Sequence, residues 1–160
     1  MSCRNTKLAH AGALIGWLVL TFCAAGTSVF IKTGGWYGAL AKPTWNPPSW
    51  LFGPAWTVLY SMMAIAAWLV WRQGGWKTQR RPLTLYLAQW LLNAIWTPLF
   101  FGLHQPGWAF AEILILLVAI LVTLFMFWRV KMAAGLLLVP YALWTTFAAV
   151  LNFTIWRLNV

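Results

Sequence analysis

The stretch Lys42–Trp56 reads KPTWNPPSWLFGPAW and contains four prolines and three tryptophans in fifteen residues. Proline fixes φ, lacks a backbone N–H and pushes the preceding residue out of the helical region. The stretch therefore predicts an irregular segment from about residue 42 to 48. Pro54 is expected in the first turn of the next helix, where a proline is tolerated. Tryptophan favours membrane–water interfaces and flat ligands, so we interpret the stretch as a stiff aromatic cap over a helical bundle.

The composition indicates an integral membrane protein. Hydrophobic residues make up 62% of the chain and charged residues 8%, whereas globular domains average about 25% charged residues. The 160 residues predict a single domain, 1–160. Five apolar stretches are each long enough for the roughly 20 helical residues that cross a bilayer. The predicted spans are Leu8–Ile31, Leu51–Trp71, Leu83–Leu103, Trp108–Trp128 and Ala133–Trp156. The predicted fold class is an all-α membrane protein, a five-transmembrane-helix bundle whose Trp/Pro-rich first loop caps a pocket.

Lysine and arginine are distributed unevenly between the predicted loops. The N-terminus and the second and fourth loops hold Arg4, Lys7, Arg72, Lys77, Arg80, Arg81, Arg129 and Lys131, and the opposite side holds Lys32, Lys42 and Arg157. Cytoplasmic loops carry the excess of positive charge, so the N-terminus is predicted to be cytoplasmic and the Trp/Pro-rich loop to lie outside. The net charge of +10 therefore reflects membrane topology, and no nucleic-acid partner is expected.

The ionisable side chains exclude most conventional catalytic sites. The sequence has no aspartate, and Glu112 is its one side-chain carboxylate, so paired carboxylates and a Ser-His-Asp triad cannot be assembled within one chain. His10 and His104 fall near opposite membrane faces, and no metal site is predicted. Glu112 lies one turn after Trp108. An interfacial position, where the helix dipole favours its charge, is the preferred interpretation, and a proton carrier is the alternative.

Polar and aromatic residues recur on single faces of three predicted helices. The third helix carries Tyr86, Gln89, Asn93, Trp96 and Phe100, and the fifth carries Tyr141, Thr145, Ala148 and Asn152 with Trp144 and Phe147 beside them. On the second helix, Trp56 and Tyr60 adjoin a stripe of small residues. Five spans would place Trp56, Asn93, Trp96 and Asn152 in the half-membrane nearest the first loop and Trp144 near mid-depth.

These indoles and amides predict a pocket for a flat apolar ligand that carries a few polar groups. Two alternatives stay open at this point. Asn93 and Asn152 could serve only as hydrogen-bonding partners between helices, and the tryptophans could form a purely structural core.

Three motifs resemble the TspO/MBR family, which comprises the tryptophan-rich sensory proteins of bacteria and the mitochondrial translocator protein, or peripheral benzodiazepine receptor. They are WYGALAKPTWNPPSW (Trp36–Trp50), AQWLLNAIWTPLFFG (Ala88–Gly102) and VPYALWTTFAAVLN (Val139–Asn152). The resemblance covers nearly the whole chain. It implies a five-helix bundle that binds porphyrins and related tetrapyrroles, sterols in some members, and benzodiazepine-type drugs. Some bacterial members promote light-dependent breakdown of protoporphyrin.

The resemblance also implies roles for individual residues. Two pocket tryptophans implicated in porphyrin breakdown correspond to Trp56 and Trp144, the only catalytic candidates, and Tyr37, Trp45 and Asn93 resemble further pocket residues. A sterol motif of the animal members is matched by Leu151, Phe153 and Arg157, except that phenylalanine replaces tyrosine. With the residues singled out above, the expected ligand-binding set is Tyr37, Trp45, Trp56, Tyr60, Asn93, Trp96, Trp144, Phe147 and Asn152.

The expected function is that of a multi-pass receptor or translocator in the bacterial cell envelope, which binds porphyrins in sensing or regulation of tetrapyrrole metabolism. Enzyme-like, light-dependent degradation of bound protoporphyrin is the alternative, and a small-molecule exporter is a more distant one. No cofactor is required, and porphyrin or haem is the expected ligand, with sterols and benzodiazepine-type compounds as further candidates. The expected partners are the lipid bilayer and a second copy of the chain, for which Gly12 and Gly16 offer a packing face. The first loop is expected to act as a gate, with Gly34 and Gly35 as its joint.

Overall fold

The computed structural model describes residues 3–26 and 34–160, and its secondary structure within those ranges is entirely helical. Six α-helices and one π-helical segment follow one another along the described chain. They are α1 (Cys3–Cys23), α2 (Gly34–Ala39), α3 (Ser49–Trp71), α4 (Gly75–Thr97), the π-helical segment Pro98–Gly102, α5 (Pro106–Val130) and α6 (Met132–Leu158). The prediction of an all-α protein is therefore confirmed.

Three of these helices, α3, α5 and α6, are long and apolar enough to cross a membrane. They match the second, fourth and fifth predicted spans. Helix α1 contributes a shorter apolar stretch, Ala9–Cys23, and the predicted extension of this span through residues 27–31 lies outside the described residues. Helix α4 falls short because its first two turns carry Lys77, Arg80 and Arg81.

The Trp/Pro-rich loop is irregular where the prolines predicted it. Residues 41–48 form no helix, and α3 begins at Ser49, directly after Pro48 in an extended conformation (φ −63°, ψ 142°). The expectation for Pro54 was wrong, because the helix begins earlier and places this proline in its interior. The ring removes the hydrogen bond that an N–H at position 54 would donate to the carbonyl of Trp50. Helix α2, which also forms in the first loop, was not predicted from the sequence.

The third predicted span differs from the structure at both ends. Helix α4 begins at Gly75 rather than Leu83, after a tight turn in which Gly74 has a φ of 114°. Lys77, Arg80 and Arg81, which suggested a loop, are exposed there, and lysine and arginine are good helix formers. The helix is kinked between them at Gln79, whose φ of −108° and ψ of 30° are not helical. At the other end, Pro98 starts the π-helical turn, in which the N–H of Leu103 donates to the Pro98 carbonyl (2.9 Å).

Helices joined by short connections pack against each other, and α3 also packs against α1 and α6. Helix α5 packs along α6, α4 packs on α5, and α3 packs on α1, α4 and α6. Small residues of α3, including Ala64, Ala66 and Ala67, are fully buried and allow the close approach of its neighbours. The hydroxyl groups of Thr21 and Tyr86 lie 2.6 Å apart and join α1 to α4. This arrangement leaves a hollow at the end of the bundle that carries the Trp/Pro-rich loop.

Candidate functional site

The hollow is a cavity of about 510 Å³ enclosed by α1, α3, α4, the π-helical segment, α5 and α6, with α2 and the following loop at its mouth. This volume lies within the range of about 300–1,000 Å³ that is typical of small-molecule sites. Seven of the predicted ligand-binding residues line it: Tyr37, Trp56, Tyr60, Asn93, Trp96, Trp144 and Asn152. The structure therefore brings together residues that lie more than a hundred positions apart in the sequence.

Two residues of the predicted set lie outside this cavity. Trp45 sits at the tip of the loop, where its side chain is 46% exposed, and its ring packs against Phe147 with centroids 5.9 Å apart. Phe147 belongs to a shallow apolar groove on the outer surface between α3 and α6, which also contains Pro54 and Pro140. Trp144 lines both the groove and the cavity and forms part of the wall between them.

The mouth of the cavity is held by contacts within the loop. The Tyr37 hydroxyl donates to Asn46 Oδ1 (3.1 Å), and Asn46 Nδ2 donates to the Pro47 carbonyl (3.1 Å). Burial raises the pKa of the Tyr37 phenol above its ordinary value, so the hydroxyl keeps its proton for this bond at neutral pH. The Lys42 ammonium lies 4.7 Å from the centroid of the Tyr37 ring, which places a positive charge at the mouth.

Asn152 makes the polar contacts that lie nearer the mouth of the cavity. Its Oδ1 accepts a hydrogen bond from Trp96 Nε1 (3.2 Å), and its Nδ2 donates to the Pro106 carbonyl (2.8 Å). One side chain of α6 thus ties the end of α4 to the start of α5. The Trp96 ring is also stacked on Phe100, with a centroid distance of 5.1 Å and an interplanar angle of 20°. These contacts fix the indole face that borders the cavity.

A second polar contact lies deeper, between α3 and α4. The Tyr60 hydroxyl donates to Asn93 Oδ1 (2.9 Å). The Trp56 ring lies beside Tyr60, with centroids 5.1 Å apart, and meets the edge of Tyr141 at 6.3 Å. Asn93 and Asn152 therefore do join helices, as one of the alternatives held, and both also border the cavity.

The three residues that resemble a sterol motif point to different environments. Leu151 is buried and lines the cavity. Phe153 is 43% exposed and packs on Phe110, with centroids 5.1 Å apart, while Arg157 is exposed near the end of α6. Phe153 and Arg157 are four residues apart and share the exposed face of α6, whereas Leu151 points into the bundle, so the three do not form one surface.

Several lining residues were missed by the sequence reasoning. They include Asn46 and Phe52 near the loop, Phe100 and Phe101 on the π-helical segment, and Thr145 on α6. Helical periodicity had already placed Phe100 on the face of Asn93 and Trp96, and Thr145 on the face of Asn152, so both positions could have been predicted. Phe101 enters the lining where the wider π turn changes the angular spacing of side chains, which no periodic pattern indicates.

Glu112 is more buried than the sequence indicated. Its interfacial depth stays a prediction, but the side chain is packed against protein neighbours and is 9% exposed. Neither carboxyl oxygen has a hydrogen-bond partner among the described residues.

Comparison with known proteins identifies the family of this chain. Residues 12–157 match the TspO/MBR family. The tryptophan-rich protein TspO of Chlorobaculum tepidum is 42% identical over 158 residues, which is 97% of this chain and 99% of that protein. The protein CrtK of Rhodobacter capsulatus is 40% identical over 147 residues, covering 89% of this chain and 90% of its own. The human translocator protein is 42% identical over 126 residues, 78% of this chain and 75% of its own. The chain is therefore a membrane protein that belongs to the TspO/MBR family.

Proposed function

We propose that the cavity binds a porphyrin or a related tetrapyrrole, and that the protein serves as a receptor or translocator for such ligands. The observation that carries this proposal is the convergence of three indoles, from Trp56, Trp96 and Trp144, on one cavity of about 510 Å³. Indole faces suit a flat aromatic ring system, and each favourable aromatic pair is worth about 1 kcal/mol beyond the burial of area.

The polar groups of the cavity support an orientation for this ligand. The amides of Asn46 and Asn152, each with a second N–H hydrogen, lie toward the mouth, and the Lys42 ammonium lies beside Tyr37 there. Carboxylates accept charge-assisted hydrogen bonds from such donors. We therefore place the acidic side chains of the tetrapyrrole at the mouth and its apolar edge toward the interior.

We also propose that five helical segments cross the membrane, with the N-terminus in the cytoplasm and α2 on the outer side. The exposed cations Arg72, Arg80 and Arg81 lie around the α3–α4 connection, and Arg129 and Lys131 lie at the α5–α6 connection. Antiparallel packing brings these two connections to the end of the bundle opposite the cavity mouth. This asymmetry supports the proposed orientation in a bacterial envelope membrane.

Light-dependent degradation of the bound porphyrin is a second candidate function. It is favoured by the presence of both Trp56 and Trp144 in the cavity lining, since indole photochemistry needs no acid–base pair. Incubation of the purified protein with protoporphyrin in light and in darkness distinguishes the two functions. Turnover to a new chromophore in light supports degradation, whereas a stable complex under both conditions supports binding alone.

Two tryptophan variants test the binding proposal. Trp144→Phe removes an indole from the cavity wall, and Trp45→Phe removes one from the exposed loop tip. Titration of protoporphyrin, followed by the change in its own absorbance, should show affinity that is several-fold lower for Trp144→Phe and unchanged for Trp45→Phe. Asn93→Ala should also weaken binding, because Asn93 borders the cavity and holds Tyr60. Parental affinity in both Trp144→Phe and Asn93→Ala would place the site elsewhere.

A further inference from the structure

Five side chains of the described residues hold buried polar atoms that have no hydrogen-bond partner, namely His10, Gln89, Glu112, Tyr141 and Thr145. Three of them lie at one depth of the bundle. Gln89 on α4, Glu112 on α5 and Thr145 on α6 are 1%, 9% and 2% exposed. Both polar atoms of the Gln89 amide, both carboxyl oxygens of Glu112 and the Thr145 hydroxyl have no hydrogen-bond partner within the described parts of the chain. A buried unpaired polar group costs about 1–3 kcal/mol, and a buried unpaired charge costs far more.

The hydrogen bonds of Asn152 place these three residues at one depth. Asn152 joins Trp96 of α4 and the Pro106 carbonyl of α5, so all three helices share a level there. Gln89 lies seven residues before Trp96, Thr145 seven residues before Asn152, and Glu112 six residues after Pro106. At 1.5 Å per residue, each is about 9–10 Å further into the bundle.

This second level lies beside the inner part of the cavity, whose lining on α5 continues to Leu116, four residues deeper than Glu112. Thr145 itself lines the cavity, and so do Ile113 and Leu116, which follow Glu112 on α5. Seven residues make almost two full turns, so Gln89 and Thr145 keep the faces on which Trp96 and Asn152 meet. Glu112 does not line the cavity itself, but it adjoins Ile113 and precedes Leu116 by one turn, so it belongs to the packed wall beside the cavity.

We propose that Glu112 is a proton-binding site in the wall beside the cavity, and that its ionisation weakens the binding of anionic ligands in the cavity. Binding a proton removes the charge from the Glu112 carboxyl and gives it a hydrogen to donate. The Gln89 amide, the Thr145 hydroxyl and the Glu112 carboxyl are then all neutral groups that can both donate and accept hydrogen bonds. Loss of that proton leaves a negative charge beside the ligand, with no lysine, arginine or histidine at this level of α3, α4 or α6. The proposal rests on the binding function proposed above.

The effect on affinity follows from distance. If the acidic groups of the ligand lie at the mouth, about 10 Å from Glu112, repulsion between unit charges at an effective dielectric constant of about 20 weakens binding by roughly tenfold. The other titratable groups at or within about one turn of this level, on the helices packed against α5, are the phenols of Tyr60, Tyr86 and Tyr141. Phenols titrate at about pH 10 in water and stay neutral between about pH 5 and 9.

The proton itself is observable by infrared spectroscopy, because Glu112 is the one carboxylic side chain in the sequence. In lipid vesicles the parent protein should show the C=O stretch of a protonated carboxyl at neutral pH, which disappears as pH rises. The band should be missing from Glu112→Gln at every pH. A parent protein that lacks the band at neutral pH, or whose band persists unchanged through alkaline pH, would overturn the proposal.

Ligand titrations test the coupling. The affinity of the parent for protoporphyrin should fall by about tenfold, relative to Glu112→Gln, as the carboxyl band disappears. The uncharged dimethyl ester of protoporphyrin should bind the two proteins with the same pH dependence. Equal pH dependence of parent and variant with protoporphyrin would refute the coupling while leaving the binding function intact. Failure of both porphyrins to bind would refute the binding function, and the infrared titration would still decide whether Glu112 binds a proton.

Discussion

Asn159 and Ala41 form a reciprocal pair of hydrogen bonds across 118 positions of sequence. The Ala41 N–H donates to Asn159 Oδ1 (2.9 Å), and Asn159 Nδ2 donates to the Ala41 carbonyl (2.9 Å). The same Nδ2 also lies 2.7 Å from the Ile155 carbonyl in the last turns of α6. The end of α6 therefore holds the start of the Trp/Pro-rich loop in place over the cavity mouth.

Removal of this pair should loosen the loop. Asn159→Ala deletes both bonds to Ala41, each worth about 1 kcal/mol where solvent competes. Hydrogen exchange of the loop amides between residues 41 and 48 should therefore be several-fold faster than in the parent. Thr154→Ala is the matched control, because the Thr154 hydroxyl bonds only to the Val150 carbonyl of its own helix. Equal loop exchange in parent and Asn159→Ala would show that the pair does not restrain the loop.

The loop should also respond to ligand. A lid that covers a site controls entry and exit, so saturating porphyrin should protect the loop from proteolysis. Gly34 and Gly35 begin α2, and proline is tolerated in the first turn of a helix. Gly34→Pro with Gly35→Pro should thus stiffen the joint and slow ligand exchange more than it alters equilibrium affinity. Identical cleavage with and without porphyrin would indicate a fixed cap.

Asn152 should stabilise the bundle through both ends of its amide. Asn152→Ala leaves the Trp96 indole N–H and the Pro106 carbonyl without this partner, at a cost of roughly 1–3 kcal/mol for each group that stays buried. Trp96→Phe removes the indole N–H as well. A double-mutant cycle on thermal unfolding in detergent should give a coupling energy of at least about 0.5 kcal/mol between these residues in contact. Strict additivity would show that the bond contributes no net stability.

Close packing at Gly135 provides a test of the α5–α6 turn. A methyl group at this position would lie 2.8 Å from Trp128 Cβ and 2.9 Å from its Cα. The backbone would have to shift, and overpacking of this kind typically costs about 1–3 kcal/mol. Gly135→Ala should therefore lower the thermal unfolding temperature, whereas Gly53→Ala, with open space at the corresponding point, should not. A parental unfolding temperature for Gly135→Ala would contradict this packing.

Composition and local chemistry were sufficient to predict the long apolar helices and the irregular loop, but not α2. Hydrophobic runs mark α3, α5 and α6, and the prolines at 43, 47 and 48 exclude helix before Ser49. The start of α4 was not predictable from hydropathy, because exposed polar residues can form helix as readily as loop. The threading of the chain correctly grouped Trp56, Asn93, Trp96 and Asn152 at one end of the bundle.

The direction of individual side chains was harder to predict. Trp45 and Phe147 lie in motifs beside lining residues, yet the loop conformation and the rotation of α6 turn both away from the cavity. The burial of Glu112 was not predicted for the same reason. Its distance from Trp108 fixed its depth to within a turn, but only the packing of α4 and α6 against α5 decides that it faces inward.

The last prediction concerns self-association through α1. Gly12 and Gly16 are exposed, and a Cβ at either position would meet no atom of the described residues within 4 Å. Small residues four apart allow two helices to approach closely in a membrane, so we expect α1 to pack against a second copy of the chain. Gly12→Leu with Gly16→Leu should reduce dimer yield in membrane crosslinking, whereas Ala111→Leu on the exposed face of α5 should leave it unchanged. Equal crosslinking in all three proteins would assign the seam to another helix, and monomer alone in the parent across a wide concentration range would exclude the dimer.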